Sequence, residues 1–600
     1  MTDRYDVVIL GGGMAGLTLA RHLLLDTDKT VLVVERRDRL PPERQKVGES
    51  TVQLAGYYLS KVLELEEYLN RAHLMKYNLR FYWPTPGRDN GRFEDYGQSY
   101  IRSFSNVASY QVDRNRFEAD LLALLRDDAR CTVALGIDGL EVDLAEAEDG
   151  ADPGPHTVRF RDAGGAKRSV AAGWVVDATG RRRFLARRDG LEQSCEVGHG
   201  ALFWWVDGTV DVEKLTDRSR REIRLKPERA VLGHLPPRLA TNHFCAEGVW
   251  FWVIPLHGKT SLGLVYDTAV VSHEEVFSVE KATRWVCEHF PLFARDLPER
   301  AVLDFAGFRD YSHDCGRVLS PSRWAMTGES GRFHDPLYSP GSDLIALHNT
   351  VIVDLIQTDD PADRAARCPL YEQLLRSLFQ AYVPSFSGSY DALGDQETMV
   401  LKYVWELAVY FAFYVFPFIN DLFTERRFLP GFLRQFARLG PLNRSVHGFL
   451  SGYFQWKKEH VEGPGEPVFF DFMELGPLQK AEATFYRVGV SAHDARDVLA
   501  EQVASLEQMV RLIAARAAAV VLGEARVLRS RAFVEGIDPE NLVFDPADLA
   551  ARWAACAGAD EEYPWPFDPT VLDRFDGKRV ERPDGAPLTA AGTTASAASP

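Results

Sequence analysis

Apolar residues first gather at residues 7–10, in YDVVIL, and after a cluster of glycines they recur at Leu17, Ala20, Leu23 and Leu24. A continuous apolar run predicts a buried strand, and the later spacing predicts a helix laid against it. TVLVVE predicts a second buried strand ending at Glu35, WVVDATGR a strand ending at Asp177, and RWAMTGESG a strand that turns at Gly328. After that turn, SDLIALHNTVIVDLI has helical spacing, so a helix is expected to start near Ser342 or Asp343, with Ser342 as N-cap. In GVWFWVIPL, residues 248–256, a strand would send Trp250 and Trp252 to one face and Phe251 and Val253 to the other. Beyond residue 360 the spacing is mostly helical between Gly and Pro breaks, with aromatic residues dense over 403–436. That density suggests packing on the preceding module or the lining of an apolar pocket. The final stretch, RPDGAPLTAAGTTASAASP, is poor in bulky apolar residues and is expected to be disordered.

The chain has 600 residues, 46% of them hydrophobic, enough for at least two domains. A net charge of −17 argues against nucleic acid or an anionic membrane as partner, because both require clustered Lys and Arg. Seven scattered cysteines, with no CxxC pair, favour a reducing compartment over a disulfide framework or a thiolate metal site. The apolar run at residues 407–419 is 13 residues long, too short to span a bilayer, and reads as a buried helix. With no signal-peptide pattern in MTDRYDVVIL, a cytoplasmic protein is expected.

The first chemical signal is Gly11-x-Gly13-x-x-Gly16, placed where a strand turns into a helix. This is the context of a dinucleotide fingerprint: Gly11 for the tight turn, Gly13 for close approach of a pyrophosphate, Gly16 for helix-to-strand packing. Glu35, 19 residues after Gly16, is placed to accept hydrogen bonds from a ribose. The third-turn helix would direct its positive end toward negative charge on a bound cofactor, and Asp343 there also reads as an ordinary first-turn carboxylate.

Three glycine turns after three strands, in this order, resemble the flavoprotein monooxygenase and halogenase superfamily, in which all three touch one FAD. Over about residues 5–360 the chain further resembles the flavin-dependent halogenases. KVGES (46–50) matches their VGE segment, HLMKYNLRFYW (73–83) resembles the segment bearing their active-site lysine, and WFWVIP (250–255) fits their WxWxIP pattern. The resemblance implies a Rossmann-like FAD-binding module with an inserted substrate-side sheet over residues 1–358, while helical spacing gives a mostly helical C-terminal domain over 359–576 and composition a disordered tail over 577–600. It implies FAD contacts from Gly11, Gly13, Met14, Ala15 and Gly16, from Glu35 and Arg36, and from Gly48, Glu49, Ser50 and Arg114. Ala178, Gly180, Gly328, Glu329, Gly341 and Ser342 complete that set. Reduced FAD from a separate reductase, oxygen and chloride or bromide would yield hypohalous acid. Trp250 and Trp252 would keep the substrate from the flavin, and Lys76 would deliver the halogen beyond them.

The chain departs from the family at the third turn. Where the halogenases read as xPxxS[ST]G and hold halide on backbone N–H groups, this chain has DPLYSPGSD. Pro340 therefore offers no N–H, leaving Gly341, with a side-chain hydroxyl of Ser339 or Ser342, as halide donors. The assisting glutamate of the free-tryptophan halogenases falls at Tyr338, and the usual Gly-Asp is Gly328-Glu329. The expected function is halogenation of an electron-rich or enolisable substrate, a small molecule or a carrier-bound group. A flavin monooxygenase or oxidase without a halide site is the alternative, and a flavin-binding protein without turnover is a third reading.

Overall fold

Residues 7–10 are fully buried, which is why an unbroken apolar run suits the middle of a sheet covered on both faces. The computed structural model describes residues 3–146, 154–556, 558 and 561–579. Strand Asp3–Leu10 pairs in parallel with Val31–Glu35 on one side and Lys167–Asp177 on the other. Val31–Glu35 continues in parallel to Cys131–Leu135, and Lys167–Asp177 to Trp324–Met326. The helix Met14–Asp26 crosses over between the first two strands, burying Leu17, Ala20, Leu23 and Leu24. This is the expected α/β arrangement.

A second sheet of eight strands carries the tryptophans. Its central strand, Val249–Pro255, runs antiparallel between Thr241–Ala246 and Lys259–Asp267. The alternation read from the sequence holds: Trp250, Trp252 and Ile254 enter the large core shared with the first sheet, whereas Val249, Phe251 and Val253 enter a separate core. Gly263 lies opposite Trp252, and a Cβ there would fall 2.1 Å from Trp252 Cζ2, so the indole rests on a residue with no side chain.

The C-terminal region is mostly helical, with short strands added. Phe469–Phe470 pairs with Tyr96–Tyr100 and extends the second sheet. The apolar segment near 407–419 belongs to a longer helical run, Gln396–Ile419, that passes through a π-helical turn at Phe411–Val415. By length and composition that run could cross a membrane, but 89% of its most apolar window is buried inside the protein. Within the tail expected from residue 577, Lys578–Arg579 pairs with Val461–Glu462; residues 580–600 lie outside the described residues.

Candidate active site

Leu10, Asp177 and Met326 are register partners at the ends of three adjacent parallel strands, so the three glycine turns emerge side by side. Gly11, at φ +117°, brings the first two together: a Cβ there would sit 2.4 Å from Ala178 O. Gly328 packs on the first turn, its ideal Cβ position 3.1 Å from Ala15 Cβ. Gly180 lies in the second turn at φ +59°. Gly13 caps the helix Met14–Asp26 with no side-chain hydrogen bond and no acid in the first turn. Its ideal Cβ position meets nothing within 4 Å. Unsatisfied N–H groups at the positive end of a helix, facing open space, suit the pyrophosphate of FAD. Glu35 is buried and holds this turn, its Oε2 accepting from Gly12 N–H at 2.8 Å and its Oε1 from Arg37 N–H at 2.9 Å. Arg36 is exposed beside it. Gly13→Ala is expected to leave the fold of the apoprotein unchanged, because the methyl meets no protein atom, and to weaken FAD retention at least tenfold. Thermal melting and flavin titration of the variant check both halves.

A cavity runs from the third turn to the tryptophan sheet. Its walls include Gly48, Glu49, Ser50, Arg114, Trp250, Trp252, Gly328, Glu329, Gly341 and Ser342, residues the sequence reading assigned to one site. Arg114 donates from Nη2 to Glu118 Oε1 at 2.8 Å and lies 3.6 Å from Glu49 Oε2, while its buried Nε has no partner. Burial holds the Glu49 carboxyl above the usual carboxylate range. Gly48 packs against the sheet, where a Cβ would come within 2.8 Å of Ser261 Cβ, and Ser261 Oγ accepts the Trp252 indole N–H at 3.2 Å. The Trp250 indole N–H donates to Tyr390 OH at 2.5 Å, and that hydroxyl lies 3.3 Å from Asp335 Oδ2. His199 Nδ1 at 2.6 Å and Tyr311 OH at 2.8 Å converge on the same oxygen.

The third turn corrects the expected helix start. The helix is Pro340–Gln357 and its N-cap is Ser339, not Ser342. Proline fits the first helical position because that N–H has no partner within the helix. Tyr338 and Ser339 precede it at φ +66° and +62°, a left-handed pair without glycine, and Ser339 N–H donates to Pro336 O at 2.9 Å. The N–H groups of Gly341 and Ser342 are thus helix-terminal donors at the cavity wall. Asp343 is more than a surface first-turn carboxylate: it is buried, its Oδ1 accepts from Ala55 N–H at 2.8 Å, and burial pushes its pKa up to about 7.

Lys76 lines a second, separate chamber with Tyr338, Tyr403, Glu406, Tyr410 and Phe411. The three-stranded sheet of Glu49–Ser50, Ser109–Val112 and Leu74–Lys76 sets its position. From the edge strand, Lys76 Nζ donates to Ser50 Oγ at 3.1 Å, and Ser50 Oγ is 2.6 Å from Thr241 Oγ1. Ser50 and Thr241 line the first cavity, so this hydroxyl pair links the two chambers. Lys76 is 5% exposed, and burial lowers its pKa to about 7 against the opposing pull of Asp343 and Glu49.

Several polar groups escaped the sequence reading. Tyr390, His199 and Tyr311 meet Asp335 across separations of up to 136 positions, and no local pattern announces them. Glu406 had a signal, a lone acid inside the apolar stretch YVWELAVYF. The aromatic density of 403–436 is in part a cavity lining, through Tyr403, Leu407, Tyr410 and Phe411.

Residues 9–59 match the family described as an NAD(P)-binding Rossmann-like domain. A flavin-dependent halogenase of Dictyostelium discoideum is 26% identical over 460 residues, 70% of this chain and 73% of the relative. A 1H-pyrrole-2-carbonyl-[peptidyl-carrier protein] chlorinase of Pseudomonas fluorescens is 28% identical over 387 residues, 60% of this chain and 77% of the relative. Among solved structures, halogenase PltM superposes with a TM-score of 0.57 at 17% identity, covering 84% of this chain and 96% of that one. By sequence the chain is a relative of the flavin-dependent halogenases, and it carries their FAD-binding α/β fold.

Proposed function

We propose that the protein is an FAD-dependent halogenase that uses reduced flavin, oxygen and chloride or bromide on an electron-rich or enolisable carbon of a natural-product substrate, free or held on a carrier. The observation that carries this reading is the pair of buried chambers: one bears the tryptophans and the third turn, the other bears Lys76, and Ser50 links them. Bound FAD, reduced by a separate reductase, would supply the oxygen chemistry that oxidises halide. The chain's own part is to hold the pyrophosphate at the Gly13 helix end and to hold halide on the Gly341 and Ser342 N–H groups. Trp250 and Trp252, on the wall of the first cavity, would keep water and substrate from the flavin. Lys76, as ammonium, donates a hydrogen bond to hypohalous acid and aims it at the substrate. All seven cysteines are free, which suits work in the reducing cytoplasm. The decisive measurement is the product mass with and without bromide, in the presence of FAD, a reductase, NADH and a panel of phenols, pyrroles and carrier-bound acyl groups. Oxygen consumption with no halogenated product from any of them would overturn the reading.

Pro340 favours the second reading, a monooxygenase on the same scaffold, because it removes one donor from the halide position. A hydrogen bond to a charged acceptor contributes about 1.5–3 kcal/mol. Pro340→Ser restores that donor at a position where the helix leaves the N–H free. The halide concentration giving half-maximal product is therefore expected to fall by roughly one to two orders of magnitude. A native protein with no halide dependence, and labelled oxygen from O₂ in its product, would establish the monooxygenase instead.

A further inference from the structure

Basic side chains gather at one place on this acidic chain. Residues 213–238 hold eight Lys and Arg against four Asp and Glu, although the net charge of the whole is −17. The acids of this segment are already engaged. Glu213 pairs with Lys226 and Arg229, Glu228 with Arg218 and Asp217 with Arg295, while Glu222 accepts Ser219 N–H in the cap of the short helix Arg220–Leu225. Arg220, Arg221, Arg224 and Arg238 are exposed and have no ion-pair partner among the described residues. On the same segment Leu225 and Val231 are 59% and 51% exposed. Two further apolar side chains stand beside it: Met75, 38% exposed, on a strand packed against the turn Pro237–Leu239, and Phe104, 59% exposed, whose ring meets Tyr77 at 4.8 Å. The segment is laced to the rim of the Lys76 chamber. Leu239 O accepts from Tyr77 N–H at 3.0 Å, Leu235 O from Arg80 Nη2 at 2.9 Å, and Val231 O from Arg102 Nη1 at 2.9 Å. Tyr77 and the exposed Ser103 line the chamber, so it reaches the surface beside this segment.

We propose that this face, residues 218–238 with Met75 and Phe104, docks an acidic carrier domain that holds the substrate on a flexible tether reaching into the Lys76 chamber. Four arginines without a counter-charge are complementary to clustered carboxylates, and pairing with a partner breaks no ion pair within the chain. Arg, Met and aromatic side chains are also the residues enriched at protein interfaces. A membrane or a nucleic acid would extend past the patch onto the rest of a chain that is acidic overall and be repelled there, whereas a small domain covers the patch alone. The tether follows from burial: Lys76 is enclosed within the chamber, so a group fixed on the partner's surface cannot meet it while the partner stays outside. This inference rests on reading the Lys76 chamber as the substrate site.

The test is fluorescence anisotropy of a labelled peptidyl-carrier domain of net negative charge, bearing its pantetheine arm and titrated with the full chain without flavin turnover. Binding is expected to weaken at least about tenfold between about 50 mM and about 500 mM salt, because exposed charges are screened as the Debye length shortens. Arg220→Glu, Arg221→Glu and Arg224→Glu together should weaken it at least about tenfold at low salt. The same reversal at Arg126, Arg161 and Arg434, which are exposed on other elements, should not. Should the first triple variant fail to fold, Arg224→Glu with Arg238→Glu carries the same comparison. No binding, binding indifferent to salt, or equal losses from the two sets of reversals overturns the inference. So does tighter binding of phosphatidylserine vesicles or of a single-stranded RNA, which would make the face a general polyanion site. Docking by a protein that brominates nothing would defeat the halogenase reading and leave this surface standing. Bromination of free compounds by a protein that does not dock would do the reverse.

Discussion

Lys76→Ala is expected to cut halogenated product by roughly 10²–10⁴-fold, the range for loss of a positioned proton donor, while FAD binding and flavin reoxidation continue. The separation follows from the geometry: Lys76 lines the chamber away from the glycine turns and meets the flavin-side cavity only through Ser50. Lys76→Arg should not restore activity, because a planar guanidinium is larger than the ammonium and does not fit a site built around one hydrogen bond to Ser50 Oγ. The pH dependence has a defined sign. Burial places the Lys76 pKa at about 7, so the ammonium is present below that value and is lost as pH rises through it. Asp343 and Glu49 oppose the shift, and neutral His243 adds no charge. Product formed per flavin oxidised should therefore fall as pH rises through about 7, with the reoxidation rate itself unchanged across that window. Equal loss of FAD binding in Lys76→Ala would make the lysine structural, and a yield that rises with pH would mean that the free amine acts.

Gly16→Ala is expected to destabilise the apoprotein by about 1–3 kcal/mol, as overpacking of a tight core does, and to abolish FAD retention. The added Cβ would fall 2.1 Å from the Gly11 carbonyl oxygen and 3.2 Å from both Ala178 Cβ and Ile9 Cγ2. Backbone atoms cannot swing aside as the end of a side chain can, so the first turn must move, and it carries the second turn with it. Set beside Gly13→Ala, the pair separates two causes of the same loss: both variants lose flavin, but only Gly16→Ala melts early. A Gly16→Ala protein with native melting and native FAD affinity would show that this turn has slack the structure does not display.

The glycine spacing, the buried apolar strands and the acidic strand end were enough to place the three turns together, because each feature is local and strands that end in such turns sit side by side in a parallel sheet. The alternation of VWFWVIP likewise foretold two faces, and the strand divides two cores as that pattern requires. The start of the third-turn helix was misread for a physical reason: a Tyr-Ser pair gives no sign of positive φ, which is expected of Gly or Asn. Tyr338 and Ser339 are held there by the surrounding fold, and Pro340 then starts the helix where a continuing pattern would put Ser342. The Asp335 network was illegible because it is assembled from distant segments, and single polar residues become informative only once burial leaves them few possible partners.

The hydrogen bond from Trp250 to Tyr390 ties one half of the chain to the other at the indole itself. Tyr390 lies in a 3-10 turn's flank among the C-terminal helices, the same region that supplies Tyr403, Glu406 and Tyr410 to the Lys76 chamber. Insulation and selectivity thus have a common owner, and a graft that exchanges those helices to admit a new substrate also exchanges the anchor of the partition. Such a chimera keeps its barrier only if it carries a tyrosine that still meets both Trp250 and Asp335; without one, the indole ring nitrogen is left buried and unpaired, and the first symptom is oxygen spent without product.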